Sequence, residues 1–161
     1  MKKKLILILI TILFSTLSIY SQCDVKINRR PDGSVVKYQN PEFVSKGTNF
    51  ELGLSVSKTG DDYIINTFVR YFIPSKKQID NLMIQLDSEY SVSLPLYTSE
   101  LATMKGENIG LGLYLSNESD IQLLKKYPIK RIIFKEADGT NQIVTLTTNK
   151  DVVMRQIKCL E

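Results

Sequence analysis

Residues 50–72 read FELGLSVSKTGDDYIINTFVRYF, and this stretch decides the fold. Phe50, Leu52, Leu54 and Val56 face one way while Glu51, Ser55 and Ser57 face the other, the period of two that marks a half-buried strand. Lys58-Thr59-Gly60-Asp61-Asp62 turns the chain. Tyr63–Phe72 is rich in Ile, Val, Thr and aromatics, so the two runs predict an antiparallel hairpin.

The same period extends in both directions. Asp24–Arg30 and Ser34–Tyr38 flank Pro31-Asp32-Gly33, a turn signal that predicts an opening hairpin. A loop is expected from there through Pro41 and Gly47. After the break at Pro74-Ser75-Lys76-Lys77, Leu82, Ile84 and Leu86 are answered by Val92, Leu94 and Leu96 in another hairpin. Pro95 cannot donate to a ladder and is expected on an edge or at a bulge. Residues 98–107 are ambiguous between a loop and a short helix capped at Thr98-Ser99 and ended by Gly106. Asn108–Leu115 alternates again, with Ile109, Leu111, Leu113 and Leu115 expected inward. Gly110 and Gly112 then face outward, where a bend or a close approach is expected.

Asn117 is a good N-cap for a helix to about Tyr127, with Glu118 and Asp120 in its first turn and Lys125 and Lys126 in its last. Ile129–Lys135 and Gln142–Thr147 form a hairpin around Ala137–Asn141. Asn149 is expected to cap a final helix bearing Val153, Ile157 and Leu160. The predicted class is α+β, a mainly antiparallel β-sheet or compact sandwich of seven to nine short strands with two short helices near the C-terminus.

Residues 1–21 have the three parts of a secretory signal peptide: Lys2, Lys3 and Lys4, the apolar run Leu5–Leu17, and a cleavage signal at Ile19-Tyr20-Ser21. The apolar run is shorter than the roughly 20 residues of a membrane span. Residues 22–161 then constitute a single β-rich exported domain, periplasmic or extracellular. An acylated Cys23 is the lipid-anchored alternative, although Gln22 and Tyr20 fit a lipobox poorly. The chain has 21 basic and 17 acidic residues. Loss of the three lysines brings the balance to 18 against 17, which removes the main support for a nucleic-acid partner.

Cys23 and Cys159 are the only cysteines and are expected to form a disulfide between the first strand and the last helix. A redox or metal pair would need a C-x-x-C spacing or histidine, and the chain has no His. That absence also excludes Ser-His-Asp and Cys-His catalysis.

The acids Asp61, Asp62, Asp80, Asp87, Glu89, Glu100 and Glu107 are candidates for carboxylate or oxygen-ligated-metal hydrolysis, but most belong to turn signals. Glu136–Asn141 shares only Asp-Gly with a calcium loop and reads as a hairpin tip. Ser-Lys catalysis would start from an S-x-x-K element, which neither Ser119 nor Ser99 begins, and no glycine-rich phosphate loop is found. No catalytic residue, cofactor or metal is therefore assigned. Asn117-Glu118-Ser119 matches a glycosylation sequon, for which helix capping is sufficient explanation. Tyr63, Tyr71, Tyr90, Tyr97 and Tyr114 are candidates for a recognition surface, or for ordinary half-buried sheet positions. Lys125, Lys126, Lys130 and Arg131 mark a basic end that is either a solvated face or a surface for an anion or acidic partner.

The signal ending in Tyr-Ser-Gln and the segments CDVKINRRPDGSVVKY, LYTSELATMKGENIGLGLY and RQIKCLE resemble small uncharacterised exported proteins of Bacteroidetes, flavobacteria especially. The resemblance covers nearly the whole chain after residue 21 and implies an envelope or extracellular location. It carries no activity and no site residues. Three expectations stand: a non-enzymatic exported domain binding a protein, peptide or envelope component; a carboxylate- or metal-dependent hydrolase; and a lipid-anchored envelope component.

Overall fold

The computed structural model describes residues 23–72, 76–104 and 107–161. The expected signal segment, the Pro74-Ser75 break and Gly106 lie outside the described residues. The element order is β1 (Lys26–Arg29), β2 (Val35–Tyr38), β3 (Glu42–Lys46), β4 (Phe50–Thr59), β5 (Asp62–Tyr71), β6 (Gln78–Leu86), β7 (Ser91–Leu94), β8 (Leu96–Met104), β9 (Glu107–Ser116), α1 (Glu118–Lys126), β10 (Ile129–Glu136), β11 (Asn141–Thr145) and α2 (Val152–Leu160). A seven-stranded sheet has the order β1-β2-β4-β5-β9-β8, with β3 also paired to β4. A four-stranded sheet has the order β11-β10-β6-β7. Every pair is antiparallel.

The hairpin of β4 and β5 is the spine of the large sheet, in register from Phe50↔Tyr71 to Thr59↔Asp62. Gly60 takes φ +59 in the tight turn between them, a conformation that costs glycine little. Leu52, Leu54, Val56, Ile65 and Val69 are buried from this sheet, and Leu82, Ile84, Leu86, Ile132 and Phe134 from the small one. Each such side chain contributes about 1.5–3 kcal/mol by leaving water. α2 adds Val152, Val153, Ile157 and Leu160 to the same core, and α1 adds Ile121 and Leu124. The chain is thus a compact, sandwich-like α+β domain, as its alternation predicts.

Among the described residues eleven strands form where seven to nine are expected. Residues 42–46, within the expected loop, pair with the first half of β4 and send Val44 into the core. β2 pairs with the last part of β4 through Val36↔Thr59 and Tyr38↔Ser57, so β2 and β3 share one sheet edge. Residues 98–104 extend a strand rather than a helix, and Pro95 lies between β7 and β8 where the chain passes from one sheet to the other. Leu96 consequently pairs with Tyr114 in the large sheet instead of answering Leu82.

The expected faces of β9 are reversed. Gly110, Gly112 and Tyr114 are buried inside, while Ile109, Leu111, Leu113 and Leu115 lie on the outer face. The cause is a crowded interior. A Cβ on Gly112 would lie 2.7 Å from Gln78 Oε1, Thr67 Oγ1 and the Tyr114 ring alike.

Asn117 caps α1 as expected, accepting from the Asp120 N–H in a capping box. Asn149 does not cap α2. It takes φ +46 and its side chain donates to Phe43 O at 2.8 Å. Asp151 occupies the N-cap position, with its carboxylate turned to Arg155.

Candidate functional site

All seven acids singled out from the sequence are exposed. Asp61 and Asp62 sit at the β4–β5 turn, on the rim of a cleft of about 500 Å³ shared with Glu118 and Lys125. Asp87 and Glu89 flank the β6–β7 turn. Asp80 takes φ +70 in an irregular part of β6, and Glu107 pairs with Arg70. Glu100 projects from the outer face of β8, opposite Leu111.

The buried acid among the described residues is Glu136, which begins the expected hairpin tip and is 1% exposed. Its position was legible: Ile132, Phe134 and Glu136 share the inward face of β10. Tyr71 Oη donates to its Oε1 at 2.9 Å, and Gln142 Nε2 to its Oε2 at 3.1 Å. Lys76 Nζ donates to the same Oε2 at 3.4 Å and also binds Asp138.

The bond from Lys76 holds the Asp138 carboxyl down at about 2, and the bond to Asp138 in turn raises the Lys76 ammonium. Burial, reinforced by the bond to Glu136, pushes the Tyr71 phenol far above its ordinary value. Tyr71, Lys76, Glu136 and Gln142 line a cleft of about 460 Å³ with Asn49, Phe50 and Thr140. With donors on both oxygens, Glu136 acts as a brace between β5 and the β10–β11 hairpin.

Beside it, Gln78 Oε1 accepts from Thr67 at 2.7 Å and from Tyr114 at 2.8 Å. Its Nε2 donates to Gly110 O at 3.3 Å. This polar seam joins the two sheets and fills the space that the β9 glycines leave. It also accounts for two of the five tyrosines, Tyr71 and Tyr114; Tyr63 is buried at the other end of β5, while Tyr90 and Tyr97 are exposed.

The basic end is divided. Lys125 pairs with Glu161 of α2, and Lys126 lies over the Tyr127 ring at 5.1 Å. Lys130 is exposed at the start of β10, and Arg131 is half-buried opposite Gln85 and Thr145. Lys130 and Arg131 follow α1 across Tyr127-Pro128, but Lys125 is already committed to a carboxylate.

Cys23 and Cys159 form a disulfide with a Cα–Cα separation of 5.5 Å. The bond occupies the Cys23 sulfur that acylation would need. Among the described residues no helix is long and apolar enough to cross a membrane, and no group of three or more potential metal ligands converges.

The sheet edges differ in character. β1 has four residues, including Lys26 and Arg29; β3, β7 and β11 have four or five. β8 has nine, LYTSELATM, with Glu100 as its one charge and no proline. It is the terminal strand of the large sheet, and among the described residues no backbone hydrogen bond reaches its outer side. Tyr97 and Leu101 on it are 65% and 44% exposed.

The outer face beside it carries Phe68, Ile109, Leu111 and Leu113, all partly open to solvent. Thr98, Glu100, Leu111 and Leu113 line a small apolar slot there. Charged residues and short lengths blunt free edges against pairing; β7 and β11 are uncharged but short, while β8 is the longest free edge and carries one charge.

Comparison with protein-family models, with curated proteins and with solved structures finds no match to the chain. The site therefore rests on its own geometry.

Proposed function

We propose that this chain is an exported, non-enzymatic interaction domain that takes an extended segment of a protein partner on the edge of β8. The observation that carries this reading is the nine-residue free edge with one charge, lying beside a part-exposed apolar sheet face. Strand addition supplies affinity through main-chain hydrogen bonds and specificity through alternate side chains. The Cys23–Cys159 disulfide supports an oxidising compartment, and the signal-like residues 1–21 support export. The exposed, turn-borne acids favour binding over hydrolysis.

The test places a photo-activatable cross-linker at Thr98, on the outer face of β8, or at Lys130, at the basic end, in the producing cells. Polypeptide adducts from Thr98 that disappear with Leu101→Lys support the edge. Adducts from Lys130 alone overturn it and move recognition to the basic end.

A further inference from the structure

We infer that the polypeptide received by β8 is the β8 of a second copy of this chain, related by a two-fold axis through Leu101. The inference rests on the strand-addition reading above and names its partner. Homodimers are most often two-fold, and such an interface must be self-complementary. Antiparallel pairing centred on Leu101 meets that condition. It sets Leu101 against Leu101 of the other copy, Ser99 against Thr103, and Glu100 against Ala102.

No like charges oppose one another in this register. Centring the pair on Glu100 would set two carboxylates face to face, which disfavours that register. The charge on β8 thus selects a register instead of blocking the edge. The edge strand β1 offers less than half that length, with Lys26 and Arg29 among its four residues.

The faces agree as well. A two-fold axis perpendicular to the sheet keeps outer face continuous with outer face. On that face Glu100 lies in the row of Phe68 and Leu111, and Ala102 in the row of Arg70 and Ile109. The Leu101-centred register joins these rows across the axis, so that Leu111 and Ile109 of the two copies flank the seam, with Glu100 and Ala102 between them. Leu101, 44% exposed in the single chain, becomes the centre of the contact. Two seven-stranded sheets become one continuous sheet.

Sedimentation of the disulfide-closed protein across micromolar concentrations provides the test, with Leu101→Lys and Leu101→Cys as variants. Leu101→Lys opposes two ammonium groups at the axis and is expected to weaken the dimer at least tenfold. Circular dichroism should remain that of the parent, since Leu101, although on the Gly110 side of the sheet, is 44% exposed at its edge. A short bis-maleimide should link Leu101→Cys to itself and should not link Lys130→Cys. A monomer at all concentrations, or a dimer indifferent to Leu101→Lys, overturns the inference. If a monomer still gives Thr98 adducts with another polypeptide, the edge reading survives and only the second copy fails. If it gives none, both fail.

Discussion

Gln156 of α2 reaches the edge of the large sheet, where its side-chain oxygen accepts the Val56 N–H at 2.7 Å. The contact falls where β2 gives way to β3 along β4, and Gln39 N–H binds Val56 O from the other side at 3.3 Å. Gln156 Nε2 also donates to Asn40 O at 3.1 Å. One buried amide therefore closes the gap between two short strands and docks α2 on the sheet.

Gln156→Leu should be costly although it roughly preserves size and puts an apolar side chain in a buried site. It would leave the Val56 N–H without a partner in a site where Gln156 is 1% exposed. An orphaned buried group costs about 1–3 kcal/mol. Urea denaturation should show that loss, and a variant as stable as the parent would mean that water satisfies Val56.

The two faces of β9 should respond in opposite ways to substitution. Gly112→Ala places a methyl 2.7 Å from Thr67, Gln78 and Tyr114, so the polar seam must shift. Overpacking of this kind costs about 1–3 kcal/mol. Leu111→Ser, on the part-exposed outer face, should cost less despite the larger chemical change. If the serine variant is the less stable of the two in thermal melts, the inner and outer faces have been interchanged.

This strand also marks the limit of what alternation could show. A period of two fixes which residues share a face, but not which face is inside, and leucines are ordinarily assigned inward. The exception arises from Tyr71, Tyr114, Gln78 and Glu136, contributed by β5, β9, β6 and β10, whose meeting is set by sheet packing. Hairpins around Gly60 and Gly139 were legible because their turn chemistry is local. β3 was not, because five residues after a proline acquire strand character only by pairing with β4. The β8 edge was hidden for a related reason: a free edge is a property of strand order, and LYTSELATM carries no sign of which neighbour it lacks.

The acid limb of the stability curve should contain a contribution from Asp138. Its carboxyl is lowered from 3.8 to about 2 by the bond from Lys76, helped by the Thr140 N–H. A group depressed in the folded state contributes stability that is fully present above its unfolded value and is lost as pH falls through the folded one. The window therefore runs from about pH 4 down to about pH 2, between the unfolded value of 3.8 and the folded value of about 2. Asp138→Asn should flatten denaturant midpoints over that window while leaving Glu136 and its bonds to Tyr71 and Gln142 in place. Lys76→Met should flatten the same limb and in addition remove a donor from the buried Glu136, so it should also be less stable at neutral pH. Equal acid slopes in the parent and Asp138→Asn would show that Lys76 is held by Glu136 alone.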